Sequence, residues 1–181
     1  MATRKLRRPR VFVDADVLFA GAASPGEHSA SLVVLRLAEI TLIEALTSEQ
    51  VIVEAERNLA TKLPQALPVF RLLVSRCLRV VPDPQPSELL PHAGLADPKD
   101  LPILVAAIRE ACPWLVTFNV RHFQPGQSAV TVVRPGEFVL HVRDLLAHLG
   151  VSNARPDRFS QEPARSRCLP MGIQHQVDAN G

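Results

Sequence analysis

Two carboxylates that directly follow an apolar strand are the first residues of this sequence that could do chemistry. In VFVDADVLFAG, residues 11–21, three apolar residues lead into Asp14 and Asp16, and the chain then becomes apolar again. Burying a carboxylate without a partner is strongly unfavourable. We therefore expect a cation or a set of hydrogen-bond donors opposite these two acids.

Four more polar groups stand where predicted strands end or predicted helices begin. Glu54 lies on the helix after the second predicted strand, and Asp97 and Asp100 open a later helix. Asn119 follows the strand WLVT, to which that later helix leads. Ligands of parallel α/β sheets bind outside the carboxyl ends of the strands. We therefore expect these groups to converge with the first two acids on one edge of the sheet.

Such a cluster of carboxylates predicts a hard metal ion. Acids that share one place repel each other, and their pKa values rise unless a cation neutralises them. Oxygen ligands without thiolates favour Mg²⁺ or Mn²⁺. One or two such ions can activate water and stabilise the charge that develops on a phosphodiester during hydrolysis.

Each of these residues also has a simpler interpretation when it is taken alone. Asp100 is typical of a helix N-cap, and Glu54, with Glu49 and Glu56 nearby, is typical of a solvated helix face. Asp14 is harder to explain in this way because apolar segments flank it on both sides. The set is therefore more informative than any of its members.

Strands and helices alternate along the chain, which predicts an α/β fold. Strands are predicted over residues 11–13, 41–46, 78–81, 114–118 and 129–133. Helices are predicted from near Asp16 and over residues 29–40, 47–63, 64–77, 100–112 and 135–149, with Ser29 or Ser31, Thr47 or Ser48, and Asp100 as N-caps. The proline-rich segment 82–100 and the segment 119–127 are predicted as loops. This order is typical of three layers, a mainly parallel central sheet flanked by helices.

The composition predicts one soluble domain with distinct ends. Among 181 residues, 47% are apolar and 21% are charged, and no apolar run is long enough to span a membrane. No apolar segment follows the basic start, so we expect no secretory signal and a cytoplasmic location. The domain is predicted over residues 11–151. A basic arm (1–10), which could contact phosphates or simply be solvated, precedes it, and a tail predicted to be disordered (152–181) follows.

The cysteines do not predict a site. Cys77, Cys112 and Cys168 have neither the spacing of a zinc site nor an even count. Neither a zinc site nor a disulfide framework is therefore expected.

Several stretches of the chain, between about residues 10 and 150, resemble PIN-domain nucleases, and within them the VapC-like toxins of toxin–antitoxin systems. These stretches are VFVDADVLFAG, TSEQVIVEAERNL, DPKDLPILVAAIREACPWLVTFN, FNVRHF and RPGEFV. Each motif alone is weak, but their order and spacing together are fairly specific. The resemblance implies a PIN-like fold.

The resemblance also assigns roles to residues. It places the first family acid on Asp14. The five-residue step to Leu59 selects Glu54 rather than Glu56 as the second acid, and the spacing to the Thr117-Phe118-Asn119 turn favours Asp100 over Asp97 as the third. The implied catalytic residues and metal ligands are then Asp14, Glu54 and Asp100, with Asn119 as the fourth catalytic position.

The activity that the resemblance implies is that of a Mg²⁺- or Mn²⁺-dependent endoribonuclease, which cleaves single-stranded RNA through metal-activated water. A toxin of this kind pairs with a cognate antitoxin, and homodimers are common in the family. Auxiliary candidates at the site are Asp16, Asp97 and His122. The surface cations expected to contact RNA are Arg57, Lys62 and Arg121.

Three positions depart from the family pattern. Asp16 stands where the family usually has Asn or another small polar residue. Asn119 stands where many members have Asp, and His122 stands where others place an acid. These departures favour an alternative, a catalytically degenerate PIN-like module that binds RNA or a protein.

A further alternative is a phosphatase of the haloacid dehalogenase class, whose nucleophile motif is also an apolar strand that ends in D-x-D. Asp14 would then form an aspartyl-phosphate, and Asp16 would act as the general acid. That class also needs a lysine and paired acids near a late strand. Here the late strand WLVTFN ends in Asn119, and of three lysines only Lys62 has a suitable context.

Overall fold

A parallel sheet forms the centre of the protein. The computed structural model describes residues 8–23, 29–126 and 130–152. The strands in these residues are β1 (Arg10–Val13), β2 (Glu44–Ser48), β3 (Leu78–Val81), β4 (Trp114–Val116) and β5 (Thr131–Val133). They are hydrogen-bonded in the order β3-β2-β1-β4-β5, and every pairing is parallel. The predicted α/β fold is therefore confirmed.

Helices cover both faces of this sheet. In the described residues they are α1 (Ala15–Ala23), α2 (Ala30–Glu39), α3 (Glu49–Lys62), α4 (Leu67–Cys77), α5 (Pro86–Leu89), α6 (Leu101–Arg109) and α7 (Pro135–Ser152). The chain runs from β1 to β3 towards one edge and then crosses to β4 on the other side of β1. Right-handed connections in opposite directions place their helices on opposite faces. Consistent with this, α2 contacts α1, α4 and α7, whereas α5 contacts α6.

The three apolar residues of the central strand are fully buried. Val11, Phe12 and Val13 have no exposed surface, as expected for a parallel strand that is covered on both faces. Leu18 of α1 and Phe70 of α4 are also among the largest fully buried side chains. The start of α1, and the polar residues beside it, is thus anchored directly in the core.

Some element boundaries differ from those predicted from the sequence. The second strand begins at Glu44 rather than at residue 41, because Thr41 adopts a left-handed turn with φ of 64° after α2. The fourth strand ends at Val116, and the fifth begins at Thr131. The segment 82–100, predicted as a loop, contains the short helix α5, whose capping box is formed by Gln85 and Glu88.

The predicted helix caps have different outcomes. Ser29 caps α2, since its Oγ accepts a first-turn backbone N–H at 3.2 Å. Ser48 and Asp100 occupy the N-cap positions of α3 and α6, but neither side chain makes a cap hydrogen bond. At α3, Asp83 Oδ1 from the β3–α5 connection accepts the Gln50 N–H at 3.0 Å instead.

Most of the predicted arm and tail lie outside the described residues, so their character stays a prediction. Arg10, assigned to the arm, begins β1, and its Nε lies 3.0 Å from Glu44 Oε2. Cys77 and Cys112 are free and buried, while Cys168 lies outside the described residues. None of the helices in the described residues is long and apolar enough to cross a membrane.

Candidate active site

The carboxyl end of β1 lies where the strand order reverses. β2 and β4 flank β1, and the ladder with β4 continues one residue beyond the strand, because the Asp14 N–H donates to the Val116 carbonyl at 3.1 Å. On the other side of β4, the Thr117 N–H donates to the Val133 carbonyl at 3.0 Å. Asp14 and Thr117 therefore lie side by side at a topological switch point, where α/β sheets bind ligands.

Thr117 links the first two acids. Its Oγ1 lies 2.7 Å from Asp14 Oδ2 and 3.3 Å from Asp16 Oδ2, so its single hydroxyl hydrogen serves mainly Asp14. The same Oγ1 accepts the Asn119 backbone N–H at 3.0 Å. Thr117 could not be singled out from the sequence, because a β-branched residue after WLV is typical of a strand. Its role becomes visible once β1 and β4 are paired.

Asp16 is held by the turn that follows β4. Its Oδ2 accepts the Phe118 N–H at 2.9 Å and the Asn119 Nδ2–H at 3.1 Å. Its Oδ1 is buried and has no hydrogen-bond partner among the described residues. One oxygen of this carboxylate is thus fully engaged, while the other lacks a donor.

A second group of side chains joins the start of α6 to the turn after β4. His122 Nδ1 lies 2.9 Å from Asp100 Oδ2 and 3.7 Å from Asp97 Oδ2. The shorter contact is a hydrogen bond between the imidazole of His122 and the carboxyl of Asp100. One ligand atom from each of the three residues lies within 4.8 Å of the others. Asp100 is therefore tied to His122 rather than to the end of its own helix.

Burial makes the carboxyl of Asp14 hard to ionise. Burial and then the neighbouring charge of Asp16 raise the pKa of Asp14 from 3.8 to about 7, although Thr117 and the Ala15 N–H oppose this by hydrogen bonding. The charge of Asp100 raises this pKa further. Asp14 and Asp100, far apart in the sequence, are thus close enough to influence each other electrostatically.

The pKa of Asp16 is raised as well. Burial is the largest cause. The Phe118 N–H, the Thr117 hydroxyl and the nearby Val17 N–H oppose it, and the charge of Glu54 adds to it. Glu54 is exposed on α3, whereas Glu56 makes an ion pair with Arg71 at 3.0 Å. Of these two glutamates, Glu54 is the one whose charge acts on the acidic edge.

The cations selected from the sequence lie on the surface. Arg57 and Lys62 are exposed on α3, and Arg121 is exposed in the turn after β4. The Nζ of Lys62 lies 5.8 Å from the ring centroid of Phe19 on α1. Their role in RNA binding stays a prediction.

The residues at this edge fit a divalent cation. The charges of Asp16 and Asp100 act on Asp14, and that of Glu54 acts on Asp16. The pKa of Asp14 is raised to about 7, and a buried oxygen of Asp16 has no hydrogen-bond partner among the described residues. A cation would lower the cost of ionising Asp14 and would meet that oxygen. Carboxylate oxygens with one imidazole nearby are suitable ligands for Mg²⁺ or Mn²⁺.

Fold and site together define an α/β protein with an acidic cluster at the switch point of its parallel sheet. The family model of the PIN domain matches residues 10–121, more than half of the chain, and the protein belongs to the PIN domain family. The resemblance to PIN domains inferred from the motifs is therefore confirmed.

Comparison with solved structures adds one similar example. A crystal structure of VapBC2 from Rickettsia felis, bound to a DNA fragment from their promoter, is similar to this chain with a TM-score of 0.49 and 17% sequence identity. The similarity covers 68% of this chain and 98% of that chain. No curated protein matches the sequence.

Proposed function

We propose that this protein is a Mg²⁺- or Mn²⁺-dependent endoribonuclease that hydrolyses phosphodiesters of single-stranded RNA. The observation that carries the proposal is the pair of Asp14, which is buried, and Asp16, which is partly buried. The pKa values of both are raised, and one buried oxygen of Asp16 has no hydrogen-bond partner among the described residues. Such a pair is stabilised by a divalent cation. Membership of the PIN domain family, a family of nucleases, supports hydrolysis of a nucleic acid.

In this proposal Asp14, Glu54 and Asp100 hold the cation, and Asp16 contributes its buried free oxygen. The bound ion would activate water and stabilise the charge that develops on the phosphodiester. The chain's own part is to fix the oxygens that face it. The Thr117 hydroxyl orients Asp14, and the turn after β4 orients Asp16 through two N–H donors.

The departures from the family pattern have defined positions in this scheme. Asn119 donates its amide N–H to Asp16, so it acts as a positioning residue for that acid. His122 positions Asp100 through Nδ1, with Asp97 as the outer member of the group. Asp16 supplies the negative charge that Asn119 and His122 do not.

The substrate and partners follow from the same proposal. Arg57, Lys62 and Arg121 are the exposed cations that would contact the RNA backbone. The crevice beside a sheet edge suits an unpaired strand, whose bases are accessible, better than a duplex. As a VapC-like toxin in the cytoplasm, the protein would pair with a cognate antitoxin and could form a homodimer.

The second candidate is a degenerate PIN-like module, which the neutral Asn119 and His122 favour.

The test is cleavage of a labelled single-stranded RNA by the full chain with Mg²⁺ or Mn²⁺, beside Asp14→Asn and Glu54→Gln. The matched control is Glu56→Gln, which changes the neighbouring glutamate of the same helix. Cleavage that both site variants lose and the control keeps supports the nuclease.

Two other outcomes would contradict the proposal. If Asp14→Asn alone loses activity and the protein turns over a phosphomonoester, the haloacid dehalogenase chemistry is correct instead. If the intact protein binds RNA or a protein partner but does not cleave RNA with either ion, the module is the better description.

A further inference from the structure

Phe118 differs from the other aromatic side chains of the described residues. Phe12, Phe70, Phe123 and Phe138 are buried, and the two remaining rings, of Phe19 and Trp114, pack partly buried against the core. Phe118 is 47% exposed. A single exposed apolar residue is ordinary on a protein surface, so its position and rigidity must decide whether it has a function.

The position of Phe118 is fixed by the acidic edge itself. Its backbone N–H donates to Asp16 Oδ2 at 2.9 Å. On one side, Thr117 is held by Asp14 through its hydroxyl and by the Val133 carbonyl through its N–H. On the other side, the Asn119 N–H donates to Thr117 Oγ1. The exposed ring is therefore carried by a turn whose hydrogen bonds fix it to Asp14 and to Asp16.

The charge at this edge makes an apolar contact useful for a nucleic acid. Carboxylates repel a phosphate backbone. Lys99 Nζ lies 3.9 Å from Asp100 Oδ2, but no cation makes an ion pair with Asp14 or Asp16 among the described residues. A strand held at the acids needs an attraction that does not depend on charge. Base stacking on an aromatic ring supplies one, and it requires an unpaired base.

We propose that the ring of Phe118 is a stacking platform for one nucleobase of single-stranded RNA beside the acidic edge. This inference rests on the proposed function and gives a physical reason for the choice of an unpaired strand. In a duplex each base is already stacked between its neighbours and is not available to the ring. Phe118 is thus a substrate-binding residue, while Asp14 and Asp16 belong to the chemistry.

The test measures binding of a fluorescent single-stranded RNA to the full chain in Mg²⁺, with every variant made in a Glu54→Gln background to prevent cleavage. The substitutions are Phe118→Ala, Phe118→Leu and Phe118→Trp. Leu145→Ala is the matched control, because Leu145 is an apolar residue of α7 that is 56% exposed. Thermal unfolding of each variant checks that it is folded.

We expect Phe118→Ala to weaken binding about 10-fold or more, a loss typical of one stacked base. Phe118→Leu should lose most of the same affinity although it stays apolar, and Phe118→Trp should keep it. A set of RNAs, each with one abasic site at a different nucleotide, should be measured against the protein that keeps Phe118. One of these RNAs should bind more weakly than the others. That penalty should disappear in Phe118→Ala, because the base and the ring are then both absent.

Unchanged affinity in Phe118→Ala, or an abasic penalty that is the same with and without the ring, would overturn the inference. The first of these results would also be expected if the ring contacted a protein partner instead. Failure of the nuclease proposal is recognised separately. If the abasic-site penalty depends on Phe118 but the unsubstituted protein does not cleave RNA, the stacking platform is supported and the nuclease is not. If the protein cleaves RNA but the abasic-site penalty does not depend on Phe118, the nuclease is supported and the stacking platform is not.

Discussion

Asp14 is expected to weaken the fold of the metal-free protein at neutral and higher pH, and Asp14→Asn tests this directly. The side chain is 5% exposed and its pKa is raised from 3.8 to about 7. A carboxyl with a raised folded pKa binds its proton more tightly in the folded than in the unfolded protein. The free energy of unfolding therefore falls as the pH rises from about 4 to about 7, and the full penalty remains at higher pH.

The size of this penalty follows from the same pKa. A rise from 3.8 to about 7 corresponds to roughly 4 kcal/mol of unfolding free energy once Asp14 is ionised. Asn removes the charge, but its amide N–H₂ would face donors rather than acceptors, which costs about 1–2 kcal/mol. Near pH 8 we therefore expect Asp14→Asn to be about 2 kcal/mol more stable than the unsubstituted protein. Near pH 5 it should be equally stable or slightly less stable.

The assay is urea unfolding of the full chain with a metal chelator across this pH range. Asp97→Asn is the control, since its side chain is 54% exposed and the same loss of charge should have little effect there. Added Mg²⁺ or Mn²⁺ should stabilise the unsubstituted protein by binding to its folded state. The difference in unfolding free energy between it and Asp14→Asn should therefore become smaller. A stability difference that does not change with pH would refute the reasoning.

Two further changes test the support of the site and the core. Thr117→Val keeps the shape of a fully buried residue but removes the hydroxyl that Asp14 and Asn119 contact. We expect Thr117→Val to lose about 1–3 kcal/mol of unfolding free energy and to cleave RNA more slowly. Thr117→Ser, which keeps the hydroxyl, should keep the stability and the cleavage rate. A valine variant as stable as the unsubstituted protein would contradict the assigned hydrogen bonds. Phe70→Ala, at a position 1% exposed in α4, should lower the unfolding free energy by about 3–5 kcal/mol in urea, and a loss below about 1 kcal/mol would contradict its place in the core.

The fold could be predicted well from the sequence because its signals are local. Apolar strands such as residues 11–13 alternate with helical patterns, and this order implies a parallel sheet. The boundaries were less predictable where a turn depends on the backbone, as at Thr41 with its positive φ. The cap of α3 also could not be predicted, because Asp83 comes from a distant part of the chain.

The site shows the same division between local and distant signals. The position of Asp14 after a buried strand was visible in the sequence, since unpaired acids are rare there. The partner of Asp100 was not, because Asp100 at the start of α6 has the pattern of an N-cap, whereas its carboxylate contacts His122. Thr117 was missed because its hydroxyl meets Asp14 only when β1 and β4 lie side by side.

Metal binding tests the central claim most directly. Calorimetric titration of the full chain with Mn²⁺ near pH 7, in two buffers with different ionisation enthalpies, reports both affinity and proton release. Because a carboxyl must lose its proton to bind a metal, the unsubstituted protein should bind Mn²⁺ and release protons from Asp14, and Asp14→Asn should bind more weakly without that release. No binding by the unsubstituted protein, or the same affinity and proton release in both proteins, would contradict a metal site at this edge.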